Sequence, residues 1–100
     1  MSRFPTETII APASTLKDYS GNTVAGASKE IMPEDVSARL YRIQNLSHTE
    51  TLWINDTGAE AGDGIPGSYA LPPGGYYEFS SPYAVSVYAA TVISFSAARY

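Results

Sequence analysis

An all-β fold, a small antiparallel β-sandwich with an extended N-terminal arm, is what three features of this sequence predict. Apolar residues alternate with period two near the C-terminus, Gly/Pro clusters punctuate the chain at roughly 8–12-residue intervals, and β-branched and aromatic residues fill the segments between them. The alternation is clearest where Val85, Val87 and Ala89 interleave with Ser86, Tyr88 and Ala90, and where Ile93, Phe95 and Ala97 interleave with Ser94, Ser96 and Ala98. A helix would need apolar residues at i, i+3, i+4 and i+7, and β-branched Val85, Val87, Val92 and Ile93 weigh against it. Two paired strands are expected there.

Upstream, Val36 to Asn45 reads as a strand with Tyr41, Ile43 and Asn45 on one face. Thr51 to Asn55 follows, with Leu52 and Ile54 on one face and Trp53 on the other, and the interval 46–50 has the length of a hairpin loop. An antiparallel pair is expected. Residues 56–67 hold Gly58, Gly62, Gly64, Pro66 and Gly67, too many flexible or donor-less residues for a regular element, so they form a surface loop. Ser68 to Leu71 resumes a strand, Pro72-Pro73-Gly74-Gly75 turns sharply, and Tyr76 to Phe79 runs on.

Residues 1–35 are poorer in large apolar groups. Thr8 to Ala11 is a strand candidate, Ser20-Gly21-Asn22 reads as a turn and Lys29 to Met32 as a short extended edge. The reading therefore divides the chain into an N-terminal arm or edge segment, 1–35, and a sandwich core, 36–100. A jelly-roll winding is one arrangement of such strands.

One domain is the limit for 100 residues, because two would each have too little interior. The chain is 44% hydrophobic but only 16% charged, against roughly 25% in an average soluble domain. Apolar residues on a small, weakly charged body gather into patches that mark protein contacts, and eight tyrosines strengthen that expectation. A net charge of −4 argues against nucleic acid, whose phosphates demand clustered Lys and Arg. Without cysteine there is neither a disulfide framework nor thiolate chemistry. Neither a secretory signal nor a membrane-spanning run is evident, so cytoplasmic synthesis is expected, and the Asn-X-Ser/Thr patterns at Asn45 and Asn55 are not expected to carry glycans.

Catalytic machinery is not expected. The one histidine, His48, lies in a loop beside Thr49 and Glu50, where the simpler reading is a solvated side chain. Tetrahedral zinc needs several His or Cys ligands, and no cofactor is expected. Asp56, Glu60 and Asp63 could offer oxygen ligands to calcium, but the spacing misses the EF-hand pattern and a solvated turn is simpler. Trp53, Tyr69, Tyr76, Tyr77 and Tyr88 are candidates for stacking on sugar rings, with core or subunit packing as the simpler alternative.

The run Ile43-Gln44-Asn45, Thr51 to Asn55, Gly67 to Glu78, Val85 to Thr91 and Phe95-Ser96-Ala97 resembles small virion proteins of tailed bacteriophages. These include capsid decoration or cementing proteins and head-fibre or spike modules. The resemblance covers roughly residues 40–100 and departs from the pattern at Val92-Ile93-Ser94, where such proteins often have a glycine turn. It implies a structural β-sandwich, acting in the virion as a symmetric homo-oligomer bound to a major capsid or other virion protein, and made in the cytoplasm of a host bacterium. Apolar residues outside the core pattern are the expected contacts: Phe4, Ile9, Ile10, Leu16, Tyr19, Tyr83 and Tyr100. The competing expectation is a sugar- or receptor-binding module of a tail fibre, using Trp53 and the loop 56–67.

Overall fold

A computed structural model describes residues 16–100. Among these residues nine strands form two antiparallel sheets packed face to face: β1 (Lys17–Asp18), β2 (Gly21–Asn22), β3 (Lys29–Met32), β4 (Tyr41–Asn45), β5 (Leu52–Asn55), β6 (Ser68–Leu71), β7 (Tyr76–Phe79), β8 (Val85–Tyr88) and β9 (Ser94–Arg99). In the first sheet β1 and β2 both pair with β9, which pairs with β4, which pairs with β7. The second sheet runs β3, β8, β5, β6. Among the described residues, no helix is long and apolar enough to cross a membrane.

This order is a jelly roll. Residues 17–22 act as one interrupted strand along β9: Tyr19 N donates to Ala97 O (2.8 Å), and Ser20 Oγ accepts from Ala97 N (2.9 Å) where the backbone ladder breaks. Counting them as the first of eight strand positions, the pairs are first with eighth, second with seventh, third with sixth and fourth with fifth. The chain is thus a long antiparallel hairpin whose tip is the β5–β6 loop, wound into two sheets and closed by the β4–β9 and β5–β8 pairings.

The winding corrects two expected pairings. β4 and β5 are not a hairpin, because β4 lies between β9 and β7 whereas β5 lies between β8 and β6. Likewise β8 and β9 belong to different sheets. Period two identifies which face of a strand is apolar but carries no information about its neighbour. The faces themselves are as expected: Tyr41, Ile43 and Asn45 are buried, as are Leu52 and Ile54, Val85 and Val87, and Phe95 and Ala97.

Other boundaries also shift. The strand expected from Val36 begins at Tyr41, since Asp35 Oδ1 accepts from Ser37 N (3.0 Å) and Ser37 Oγ (2.7 Å) and fixes a turn at 35–37. Gly21–Asn22 is a strand instead of a turn. Within the expected arm or edge segment, β1 and β3 stand at the edges of the two sheets, and Met32 is fully buried in the core. An arm, and the strand candidate Thr8 to Ala11, would lie in residues 1–15, outside the described residues.

The core joins Met32, Tyr41, Ile43, Leu52, Ile54, Leu71, Val85, Val87, Ala89, Ile93, Phe95 and Ala97. Each fully buried large apolar side chain contributes roughly 1.5–3 kcal/mol. At one end of the sandwich the buried Asn45 fastens three segments: its Nδ2 donates to Glu50 O (2.8 Å), Leu71 O (3.0 Å) and Pro72 O (3.2 Å), and its Oδ1 accepts from Ser47 N (2.9 Å). The Pro/Gly corner completes this end, with Gly74 at φ 76°, where a side chain would be strained, and Gly75 N donating to Pro72 O (2.8 Å). Asn55 plays the matching part at the start of the 56–67 loop, donating to Glu60 O (3.1 Å) and accepting from Thr57 N (2.9 Å). Both Asn-X-Ser/Thr patterns are therefore Asx turns whose amides are buried and engaged.

Candidate interaction surfaces

The two sheets leave two lateral mouths, each bordered by a pair of edge strands. One lies between β6 and β7. Tyr69 faces Ile54 across the second sheet, Tyr77 faces Ile43 and Phe79 faces Tyr41 across the first, so all three aromatic side chains belong to the inner faces. Among the described residues no further strand covers them at this edge. Tyr69 stacks on Tyr77 (centroids 5.6 Å, planes 29° apart), and Tyr77 meets Tyr41 at 6.1 Å and Phe79 at 6.2 Å. Tyr69 is 49% exposed and Phe79 52%.

A buried polar contact lies behind this row. Tyr41 Oη donates to Asp56 Oδ2 at 2.6 Å, joining β4 to the start of the β5–β6 loop, and Ser81 Oγ donates to Asp56 O at 2.7 Å. Burial first, and then the hydrogen bond to and negative charge of Asp56, hold the Tyr41 phenol far above its ordinary range. Burial also raises Tyr77, with Asp56 and Tyr69 adding to it.

The second surface is the outer face of the second sheet. Trp53 and Tyr88 are direct cross-strand partners there, both half-buried. The 56–67 loop folds down beside them: Ala61 N donates to Ser28 Oγ (3.0 Å), Gly62 N donates to Ser68 Oγ (3.2 Å), and Ala61 and Gly62 are buried. Gly67, at φ 94°, brings the returning backbone over Asn55, where a Cβ would stand 3.2 Å from Nδ2. A trough of about 240 Å³ results, lined by Thr49, Glu50, Thr51, Trp53, Asp63, Tyr88 and Ala90. Asp63 and Tyr88 also line a neighbouring depression that runs toward Ser28 and Glu60.

Of the expected contact residues, Phe4, Ile9 and Ile10 lie outside the described residues. Leu16 is exposed and shares a shallow depression with Tyr100. Tyr19 packs against the core, and Tyr83 is exposed with its Cβ 3.7 Å from where a side chain at Gly58 would begin. Tyr100 also lines a second depression with Tyr19, so Leu16, Tyr19 and Tyr100 border adjoining depressions. Of the expected stacking residues, Tyr69 and Tyr77 meet at the mouth, Trp53 and Tyr88 meet on the outer face, and Tyr76 stands apart opposite Gln44. Phe79 and the Tyr41–Asp56 pair escaped sequence reasoning, because the partner of each is set by the winding. Asp56, Glu60 and Asp63 are not gathered, and no group of three metal-ligating side chains occurs among the described residues.

The raised Tyr41 phenol makes stability depend on pH with a definite sign. Below the unfolded value of about 10 both states keep the proton, and above it the unfolded chain loses a proton that the folded chain retains. Stability should therefore fall as pH rises above about 10, by up to ~1.4 kcal/mol per unit from this group. Tyr41→Phe should lower stability near neutrality by about 1–3 kcal/mol, since Asp56 Oδ2 loses its donor, and should flatten that alkaline slope. Chemical denaturation from pH 7 to 11 checks both, and an unchanged slope in Tyr41→Phe would contradict the assignment.

Comparison with family models, curated proteins and solved structures found no match for this chain.

Proposed function

We propose that this chain is a non-enzymatic structural subunit of a phage virion, a decoration or cement component or another part of the head or tail. In this reading it acts through protein–protein contacts with copies of itself and with a major capsid or other virion protein. The contrast between the two mouths carries the reading. At one, the edge strands are charged and irregular: β1 is Lys17-Asp18, and β3 opens with Lys29-Glu30 and carries a register break before Met32. Such edges discourage strand addition. At the other, β6 is Ser-Tyr-Ala-Leu with no charge, and β7 is Tyr-Tyr-Glu-Phe with one.

Among the described residues β6 and β7 each have a partner on one side only. Unpaired backbone groups, stacked tyrosines and an exposed Phe79 supply the ingredients of an edge-on protein contact. Area buried there yields roughly 25 cal/mol per Å² before the cost of immobilisation.

The test replaces Tyr69 and Phe79 together by Lys in the full chain. Light scattering, and incorporation into any particle that contains the chain, should report at least tenfold weaker association, while circular dichroism retains the β signal. Unimpaired association of a folded variant would sink the edge contact.

A second reading, a glycan- or receptor-binding module of a tail fibre, is favoured by the convergence of Trp53, Tyr88, Glu50 and Asp63 on one trough. Aromatic faces stack on sugar C–H surfaces, and carboxylates accept hydroxyl protons. Under this reading a glycan array shows a specific ligand that Trp53→Ala loses at least tenfold. Indifference of binding to Trp53→Ala would remove the trough from consideration.

A further inference from the structure

The acidic chain concentrates positive charge at one place. Lys17, Arg39 and Arg99, three of its six cationic residues, line a single pocket of about 250 Å³ together with Tyr19, Asp35, Ser37, Ala38 and Tyr100. It lies at the end of the sandwich where β1, the loop 33–40 and the end of β9 meet, apart from the β6–β7 mouth and the Trp53 trough. Among the side chains that line it, three are cationic and one is a carboxylate, in a chain whose net charge is −4.

Arg99 makes this more than a cluster of surface charges. It follows Phe95 and Ala97 on the inner face of β9 and is only 3% exposed. Its guanidinium donates to Pro33 O (2.6 Å), Ser81 O (2.6 Å) and Tyr83 O (3.1 Å), all neutral carbonyls, and its buried Nε has no partner. A buried cation held by neutral acceptors, with one donor left over, is costly unless an anion approaches. Asp35 is the one acidic side chain in the pocket, and the Ser37 hydrogen bonds to its Oδ1, helped by Arg99 and Lys17, hold its carboxyl below the usual range. It offsets one of the three positive charges and makes no hydrogen bond to Arg99. Lys17 is the direct cross-strand neighbour of Arg99, and the Arg39 guanidinium sits 5.8 Å from the Tyr100 ring centre. Both side chains are exposed.

We propose that this pocket is a binding site for a carboxylate carried by an acidic side chain of a neighbouring protein subunit. The exposed Arg39 guanidinium can pair with a carboxylate through directed charge-assisted hydrogen bonds and exposed Lys17 can add a second contact, while the buried Arg99 charge behind them supplies attraction at longer range. A polyanion such as nucleic acid would meet the negative remainder of the surface, whereas a single side chain needs only the pocket. Exposed Glu34, Glu60, Asp63 and Glu78 show that a second copy of this chain carries suitable groups.

The probe is a tri-glutamate peptide added to the full chain at constant ionic strength, with sodium chloride and inorganic phosphate as controls, followed by backbone amide resonances. The peptide should move the signals of residues 17–19, 35–39 and 99–100, and the double variant Lys17→Gln, Arg39→Gln should weaken its binding at least tenfold with the spectrum elsewhere intact. Movement caused equally by chloride, a response to phosphate alone, or undiminished binding by the double variant would overturn the proposal. Light scattering separates the sources: self-association weakened by the peptide and by the double variant assigns the carboxylate to a second copy. Unaltered self-association with the peptide still bound assigns it to a different protein.

Discussion

The buried carboxamide of Asn45 stands where the chain passes between sheets, and the geometry of that end follows from it. Its three donated contacts tie the end of β4 to Glu50 ahead of β5 and to Leu71 and Pro72 at the end of β6. Gly74 N donates to Asn45 O and Asn45 N to Gly75 O, so one residue anchors the β4–β5 and the β6–β7 crossings between the sheets. An amide is suited to this because it offers two donors and two acceptor sites in a rigid plane, and no apolar side chain could satisfy those carbonyls. The crossings set β6 above β7, and that placement stacks Tyr69 on Tyr77.

Much of the fold could be read from the sequence, and the part that could not has a physical cause. Alternation correctly assigned Ile43, Ile54, Val87 and Phe95 to inner faces, because burial of one face is a local property of each strand. Strand partners are not local. In a nested winding only β5 and β6 are neighbours both in the chain and in a sheet, so the expected pairing of β4 with β5 and of β8 with β9 had the right strands and the wrong neighbours. The turn chemistry was hidden in plain motifs. Asp18-X-Ser20, Asp35-X-Ser37, Asn45-X-Ser47 and Asn55-X-Thr57 each use a side-chain oxygen to accept from the backbone two residues on. Read as a glycosylation pattern, the latter two lose their structural meaning.

The surfaces were less legible for the same reason. Trp53 stood out as a lone aromatic, but its cross-strand neighbour Tyr88 lies far along the chain, and the loop that carries Asp63 is held beside it in part by Ser28, 33 residues from Ala61. Phe79 and Tyr69 come from different sheets. The charged edges of β1 and β3 and the aromatic edges of β6 and β7 acquire their contrast only when the winding makes them edges. Jelly rolls serve in capsids and in lectins, so the architecture alone does not choose between the readings. What favours assembly is that one mouth is guarded by charge and the other is not.

Hydrogen–deuterium exchange of the full chain, compared between dilute monomer and associated state, tests this account most directly. If the aromatic mouth is the contact, backbone amides of Ser68–Leu71 and Tyr76–Phe79 slow on association while those of Lys17–Asp18 and Lys29–Met32 keep their monomer rates. Protection gained at the charged edges, with β6 and β7 unchanged, would contradict it.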